Sequence, residues 1–418
     1  MKNILFKNIG FLTLSQIANY LLPLVTIPYV TRIVGPENFG TIEFVQATIL
    51  FFTVTLNYGF NRTATRAIAA DSGNMEKVSE LFSSVMLAKT LLLGSSMLVF
   101  GILLLTVPKF LDNYIILIAG FPIVIGWGLY PSFIFEGLQK LSVVAVVDVF
   151  IKSTAAVCIL VLINNAEDYY KVPLINGLIQ MVFGFVALVY ALKKIDGLRF
   201  IKTSWQKVKA QLREGQYVYF SSLFTTVYNF GIILFGAFLL GPIELGIFVA
   251  AYKLIVVGNS FLFKPLTGAL FPFLSLKLAD GIEVYKKSFK NAFFLLVLAS
   301  AVASLMLFFL ASFLLNLVFG ENYLEAENIL KIMAPTLFVG AFLHMFLQQG
   351  LLHLHKDKLY MSLIISGGVL SIVINFILIK NYEIVGAAVS RLVVDVYLAL
   401  VSGFFFFKKI HKNTSESS

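Results

Sequence analysis

The chain has 418 residues, 59% of them hydrophobic and only 13% charged, with a formal net charge of +10 and a mean hydropathy of +0.90. Soluble domains carry about a quarter charged residues, so this composition excludes a water-soluble globular protein. The single cysteine, Cys158, excludes an intrachain disulfide and carries no redox inference.

The apolar residues fall into blocks long enough for spans, since a helix needs about 20 residues to cross about 30 Å of hydrocarbon. The pattern predicts about twelve transmembrane helices, at 9–33, 41–63, 81–105, 113–131, 141–163, 172–192, 215–239, 246–268, 291–318, 328–350, 359–379 and 385–406. The first is read as a span rather than a cleaved leader, because its apolar run is too long for a signal core and no small-residue cleavage site precedes Gly35. It carries Asn8, Gln16 and Asn19, with Pro23 and Pro28 placed to kink it, and Arg32 at its far end. A turn, Gly35-Pro36-Glu37-Asn38-Phe39-Gly40, leads into the second span. That span holds Glu43 and the densest polar face of the chain: Gln46, Asn57, Asn61, Arg62 and Arg66, with 57–61 and 62–66 one helical turn apart.

Lys89 lies in the third span, where its long stem can carry the ammonium to a surface. Pro122 and Pro131 interrupt the fourth. In the fifth, Asp148 and Lys152 are four residues apart and can meet on one face. The basic stretch 193–214 follows the sixth span; it reads as a solvated linker, or as an amphipathic helix over Lys202 to Arg213 lying on anionic headgroups. After the seventh span the turn recurs as Gly241-Pro242-Ile243-Glu244-Leu245-Gly246. Lys253 and Lys264 interrupt the eighth span, His344 in the tenth reads as a packing residue, and Arg391 and Asp395 in the twelfth form a second i,i+4 pair.

Lys and Arg concentrate in alternate loops, among them Arg62 to Lys77, Lys193 to Arg213, Lys277 to Lys290 and Lys408 to Lys412, while the other loops carry mostly Asp and Glu. Short basic loops stay cytoplasmic, so both termini are expected in the cytoplasm, and the positive charge reads as a topology signal rather than a nucleic-acid footprint. The recurring G-P-x-x-x-G turn divides the chain into parallel repeats: a six-helix lobe at 1–192, the linker 193–214, a second lobe at 215–406 and a tail at 407–418. Paired-bundle transporters place substrate between repeats. Ionisable groups at membrane depth are costly and mark a cavity or a partner. The basic ones outnumber the acidic ones here, which suits an anionic cargo: amides and aromatics bind sugars, and Arg and Lys bind phosphates. The i,i+4 pairs read either as mutual neutralisation or as switches broken by substrate or a coupling ion. His353-x-His355 near Asp357 is a weak metal pattern. A phosphate-binding loop and hydrolase signatures are missing from the sequence, and no cofactor is expected.

The stretch from Gln16 to Gly40, with Leu240-Gly241-Pro242, Ala250-Ala251-Tyr252-Lys253-Leu254 and Gly386-Ala387-Ala388, resembles the O-antigen flippases, the Wzx-type polysaccharide transporters of the MOP superfamily. The resemblance implies an all-α, MATE-like fold of two lobes. It implies a flippase that carries an undecaprenyl-diphosphate-linked oligosaccharide across the bacterial inner membrane by alternating access, driven by H+ or Na+; a polysaccharide polymerase is a candidate partner on which the sequence itself is silent. Arg32 matches an Arg-Ile-x-Gly stretch whose arginine matters in lipid II flippases. The residues expected to line the substrate path are Arg32, Asn57, Asn61, Arg62, Arg66, Lys152, Lys253 and Arg391; those expected to couple an ion are Glu43, Asp148 and Asp395. The alternative is a drug or metabolite exporter of the same superfamily, which would favour a carboxylate-rich cavity. A membrane enzyme fits poorly, because every outer loop is short.

Overall fold

The computed structural model describes the backbone of residues 2–415, and the side chains of Gln16, of 21–263 and of 265–410. The expectations for Asn8, Asn19 and Lys264 therefore lie outside the described side chains. The described residues are helical and contain no strand. They divide into two compact units, Met1–Leu223 and Phe224–Ser418.

In the first unit, α1 (Lys2–Asn57) is broken at Gly35, whose φ of 74° and ψ of 173° lie outside the helical region. A second break falls at Tyr58 and Gly59, both at positive φ, and α2 (Phe60–Ala70) follows. The expected span 41–63 therefore ends early, and Asn57 and Asn61 sit on different helices rather than one turn apart. Then come α3 (Met75–Thr106), whose first turn is capped by the Asn74 side chain accepting from Lys77 N at 3.1 Å, and the short α4 (Pro108–Asp112).

The expected fourth span is three pieces, α5 (Tyr114–Gly120), α6 (Pro122–Leu129) and α7 (Ser132–Gly137). Proline lacks the N–H that would continue the ladder, so the breaks fall at Pro122 and Pro131. α8 (Leu141–Leu162) precedes a 3-10 turn in which Asp168 accepts from Asn164 N and Asn165 N, and α9 (Lys171–Lys194) completes the unit. α6 and α9 touch backbone to backbone. A Cβ on Gly126 would lie 2.5 Å from the Gln180 carbonyl, and one on Gly184 would lie 2.4 Å from Gly126 O. Small residues of this kind let helices approach where lipid supplies no hydrophobic drive.

The basic stretch after α9 is laid on α3. Arg199 N donates to Ser79 Oγ (3.2 Å), Ile201 N donates to Ser83 Oγ (2.9 Å), and the Phe200 ring packs on Phe82 with centroids 5.0 Å apart. Helix begins again with α10 (Trp205–Leu239).

The second unit continues α10 and adds α11 (Pro242–Ala279), α12 (Ile282–Phe309), α13 (Ala311–Phe319), α14 (Glu327–Met333) and α15 (Pro335–Leu343). α15 runs into a π-helical stretch, His344–Leu351, and the unit ends with α16 (Asp357–Ser415), broken at Glu383 (φ 50°, ψ −130°). Its core is aromatic, built on Tyr285, Phe289, Phe346 and Phe406. Large apolar side chains such as Leu105 (81% exposed), Phe309 (76%) and Phe294 (72%) point outward. Bare groups of that size on so many helices fit a solvent of lipid chains, not water.

Among the described residues nine helices are long and apolar enough to cross a membrane, or ten if the bent pair Glu321–Met333 and Pro335–Leu351 is one span. Two of the nine, Leu21–Ala70 and Asp357–Ile410, run to 50 and 54 residues, about twice what the hydrocarbon requires. The expected twelve is reached only if the bent pair counts as one span and the breaks at Gly35 and Glu383 divide these two helices into two spans each.

Candidate functional site

The second unit lines an open cavity of about 350 Å³. One stripe of α11 supplies much of its wall: Tyr252, Ile255, Val256, Asn259, Ser260, Phe263 and Thr267. Their spacing of three, four and seven residues puts them on one helical face. Tyr228 and Asn229 enter from α10, Thr336, Gly340 and Leu343 from α15, His344 and Gln348 from the π-helical stretch, and Arg391 and Asp395 from α16. π-helical turns concentrate at functional sites. Gly340 keeps the cavity open, since a Cβ there would lie 3.0 Å from the Phe263 ring and 3.2 Å from Asn259 Oδ1.

The charged end of this cavity is a closed network. Arg391 Nε donates to Asp395 Oδ2 at 3.2 Å, Nη1 to the Tyr228 carbonyl at 3.0 Å and Nη2 to the Tyr228 hydroxyl at 3.1 Å. The Tyr228 hydroxyl in turn donates to Asp395 Oδ1. The guanidinium also lies 4.3 Å from the centroid of the Tyr228 ring and 5.8 Å from that of Tyr252, a cation–π geometry. The i,i+4 spacing of Arg391 and Asp395 is thus realised as a buried ion pair. Elsewhere in the lining His344 stacks on Phe263 at 5.3 Å and sits 3.1 Å from Thr267 Oγ1. Asn259 and Ser260 make no side-chain hydrogen bond among the described residues, and both are half-buried.

In the first unit the expected residues are more scattered. Arg32 is exposed and Glu43 is buried, both on α1. Asn57 ends α1. Asn61 accepts from Ser132 Oγ at 3.1 Å. α2 buries Phe60, Thr63, Ala64 and Ile68 and turns Arg62 and Arg66 outward. Asp148 is half-buried on α8 with Lys152, exposed, as the cation acting on it. Lys253 is half-buried on α11 and is not part of the cavity wall.

One residue departs from its expected place, and two further groups escaped the sequence reading. Lys89 does not reach a surface: it is 2% exposed, and its Nζ donates to the Tyr130 carbonyl at 2.8 Å. That carbonyl stands at the Pro131 break, and a backbone oxygen freed inside a membrane must find a donor. Glu136, which falls between the expected fourth and fifth spans, belongs to α7. It lies within electrostatic reach of Asp148 and of the buried, unpartnered Tyr130 hydroxyl, and Thr65 donates to it at 3.4 Å. The polar cavity stripe of α11 was legible in principle, because Asn259 and Ser260 follow Tyr252 at seven and eight residues in an otherwise apolar run. His353 lies between the carbonyls of Gln349 and Phe271, and no group of three metal-ligating side chains occurs among the described residues.

Residues 5–276 match the model of a family described as polysaccharide biosynthesis protein. The chain belongs to that family. Over 395 residues it is 29% identical to a protein of Escherichia coli (strain K12) named "Putative O-antigen transporter", covering 93% of each chain. A protein of the same name from Shigella dysenteriae is 26% identical over 399 residues, 94% of this chain and 98% of the relative.

Among solved structures, an inward-facing multidrug resistance MATE transporter of the MOP superfamily superposes with a TM-score of 0.77 at 13% identity, covering 98% of this chain and 100% of the other. The lipid II flippase MurJ, in an inward closed conformation, gives 0.78 at 11% identity over 97% and 89%. At these identities the structures establish the fold, an all-helical membrane fold of the MOP type.

Proposed function

We propose that this chain moves a lipid-linked oligosaccharide, carried on a polyprenyl diphosphate such as undecaprenyl diphosphate, from the cytoplasmic to the outer leaflet of a bacterial inner membrane. The observation that carries the reading is the family match combined with similarity to the O-antigen transporter relatives along 93% of both lengths. The protein is a multi-pass membrane transporter, not an enzyme. The alternation of basic and acidic loops favours both termini in the cytoplasm.

The exposed cations Arg32, Arg62, Arg66 and Lys152, with Asn57 and Asn61, are the candidates to meet an anionic diphosphate. Lys253 is retained as a candidate on its depth in the chain. Glu43, Asp148 and Asp395 are candidates for coupling to H+ or Na+, and alternating access would carry the head group. A polysaccharide polymerase is the partner that would consume the flipped product. An exporter of organic cations would be served by an uncompensated carboxylate in the cavity; Asp395 is compensated by Arg391.

The test is deletion of the gene with complementation, following lipid-linked sugars by mass spectrometry and their sidedness by labelling from outside the inner membrane. The expected result is an intermediate that accumulates facing the cytoplasm and is cleared by the wild-type gene. Normal surface polysaccharide with no accumulated intermediate overturns the reading.

A further inference from the structure

The cavity of the second unit presents a neutral polar surface. Its two formal charges, Arg391 and Asp395, bond to each other and to Tyr228, so the guanidinium is neutralised in place. What remains toward the cavity is a set of uncharged hydrogen-bonding groups, chiefly Asn259, Ser260 and Gln348, beside the apolar Ile255, Val256 and Phe263. A volume of about 350 Å³ is at the small end of ligand pockets.

An ion seated against this wall would give up part of its hydration with no opposite charge to replace it, because the resident ions already satisfy each other. A diphosphate and an organic cation are therefore both disfavoured. A pyranose ring is well matched: hydroxyl groups for the amides and the serine, and C–H faces for the aliphatic and aromatic wall. Asn259 and Ser260, half-buried and without a side-chain hydrogen bond among the described residues, are groups that such a ligand would complete.

We infer that this cavity binds one uncharged sugar residue of the transported head group, with Asn259 and Ser260 as its hydrogen-bonding groups, while the diphosphate is held elsewhere. The inference rests on the flippase reading above. It makes the second unit a selector for sugar rather than for carrier.

The experiment uses the full-length protein in lipid nanodiscs and saturation-transfer NMR. The neutral probes are the methyl glycosides of glucose, galactose and N-acetylglucosamine; the charged probes are glucuronic acid and glucosamine. Binding of at least one neutral probe is expected, with the charged probes about tenfold weaker or more. The double variant Asn259→Leu/Ser260→Val, checked for an unchanged unfolding midpoint, is expected to weaken the neutral probe by about tenfold. Gly340→Ala, which narrows the cavity from the facing helix, is expected to do the same and guards against misfolding of the first variant.

Charged probes binding as well as neutral ones overturn the inference, as do neutral binding that ignores both variants and no binding at all. The two readings fail separately. An intermediate that accumulates on deletion, with no cavity-dependent sugar signal, removes this inference and leaves the flippase. A cavity-dependent sugar signal with no accumulation removes the flippase and leaves a sugar-binding cavity whose ligand is not a transported head group.

Discussion

Each unit buries a long basic side chain, and the two are held in different ways. In the first, Lys89 gives its ammonium to a backbone carbonyl at the break between α6 and α7. In the second, Arg391 sits with a carboxylate, a tyrosine hydroxyl and a tyrosine carbonyl on the wall of a cavity. A cation on a lone carbonyl repairs the backbone where proline has interrupted it. A cation paired with a carboxylate builds a polar wall with no net charge. The same class of residue at membrane depth thus does structural work in one unit and shapes a binding surface in the other.

The difference can be tested by removing one partner at a time. Asp395→Ala strands a buried guanidinium and is expected to cost about 3–5 kcal/mol, read as the largest fall in unfolding midpoint of the purified protein. The double change Arg391→Met/Asp395→Leu is expected to recover most of that loss, because no charge is then left unpaired. Recovery that fails would mean that the network holds the helices together as well as neutralising the cavity.

Lys89→Met removes the donor from a neutral acceptor and strands no charge, so the cost is expected to be smaller, about 1–3 kcal/mol, in the same thermal measurement. A loss as large as that of Asp395→Ala would mean that Lys89 is a charge partner of the Glu136 and Asp148 cluster, and the contrast between the units would fall.

The repeated turn sharpens the comparison further. Gly35 takes φ 74° with open space where a Cβ would go. Gly241 takes φ −69° at the start of α11, where Glu244 accepts its N–H at 2.8 Å. Gly35→Ala should therefore cost about 1–3 kcal/mol from backbone strain alone, since these angles are open essentially only to glycine, and Gly241→Ala should stay within about 0.5 kcal/mol. Equal effects in a denaturation series would show that the two turns are alike in more than sequence.

The smallest stability change is expected for Arg62→Gln/Arg66→Gln on the exposed face of α2, again within about 0.5 kcal/mol. Its readout is transport: with protein levels unchanged, the lipid-linked intermediate should accumulate if these cations hold the head group.

Much of the fold was legible because hydrophobic length is a local property. The apolar blocks around α3, α8, α9 and α12 are helices close to where the composition put them, and Arg391 and Asp395 met because their spacing is written into the helix. Legibility failed where a helix stops being regular. Pro131 marked a break, but not that α7 would pack on α2 and bring Glu136 toward Asp148 and Tyr130. The Tyr58-Gly59 break separated Asn57 from Asn61, and only the observed backbone angles reveal it.

The sequence by itself determined that this chain lives in a membrane, is helical, and carries ionisable groups at depth, since each follows from residue type and spacing along one helix. Only the tertiary structure decided what those groups do. Whether a buried charge is paired, spent on a stray carbonyl or open to a ligand depends on the neighbouring helix, and in a medium that offers no water that neighbour sets the whole electrostatic outcome.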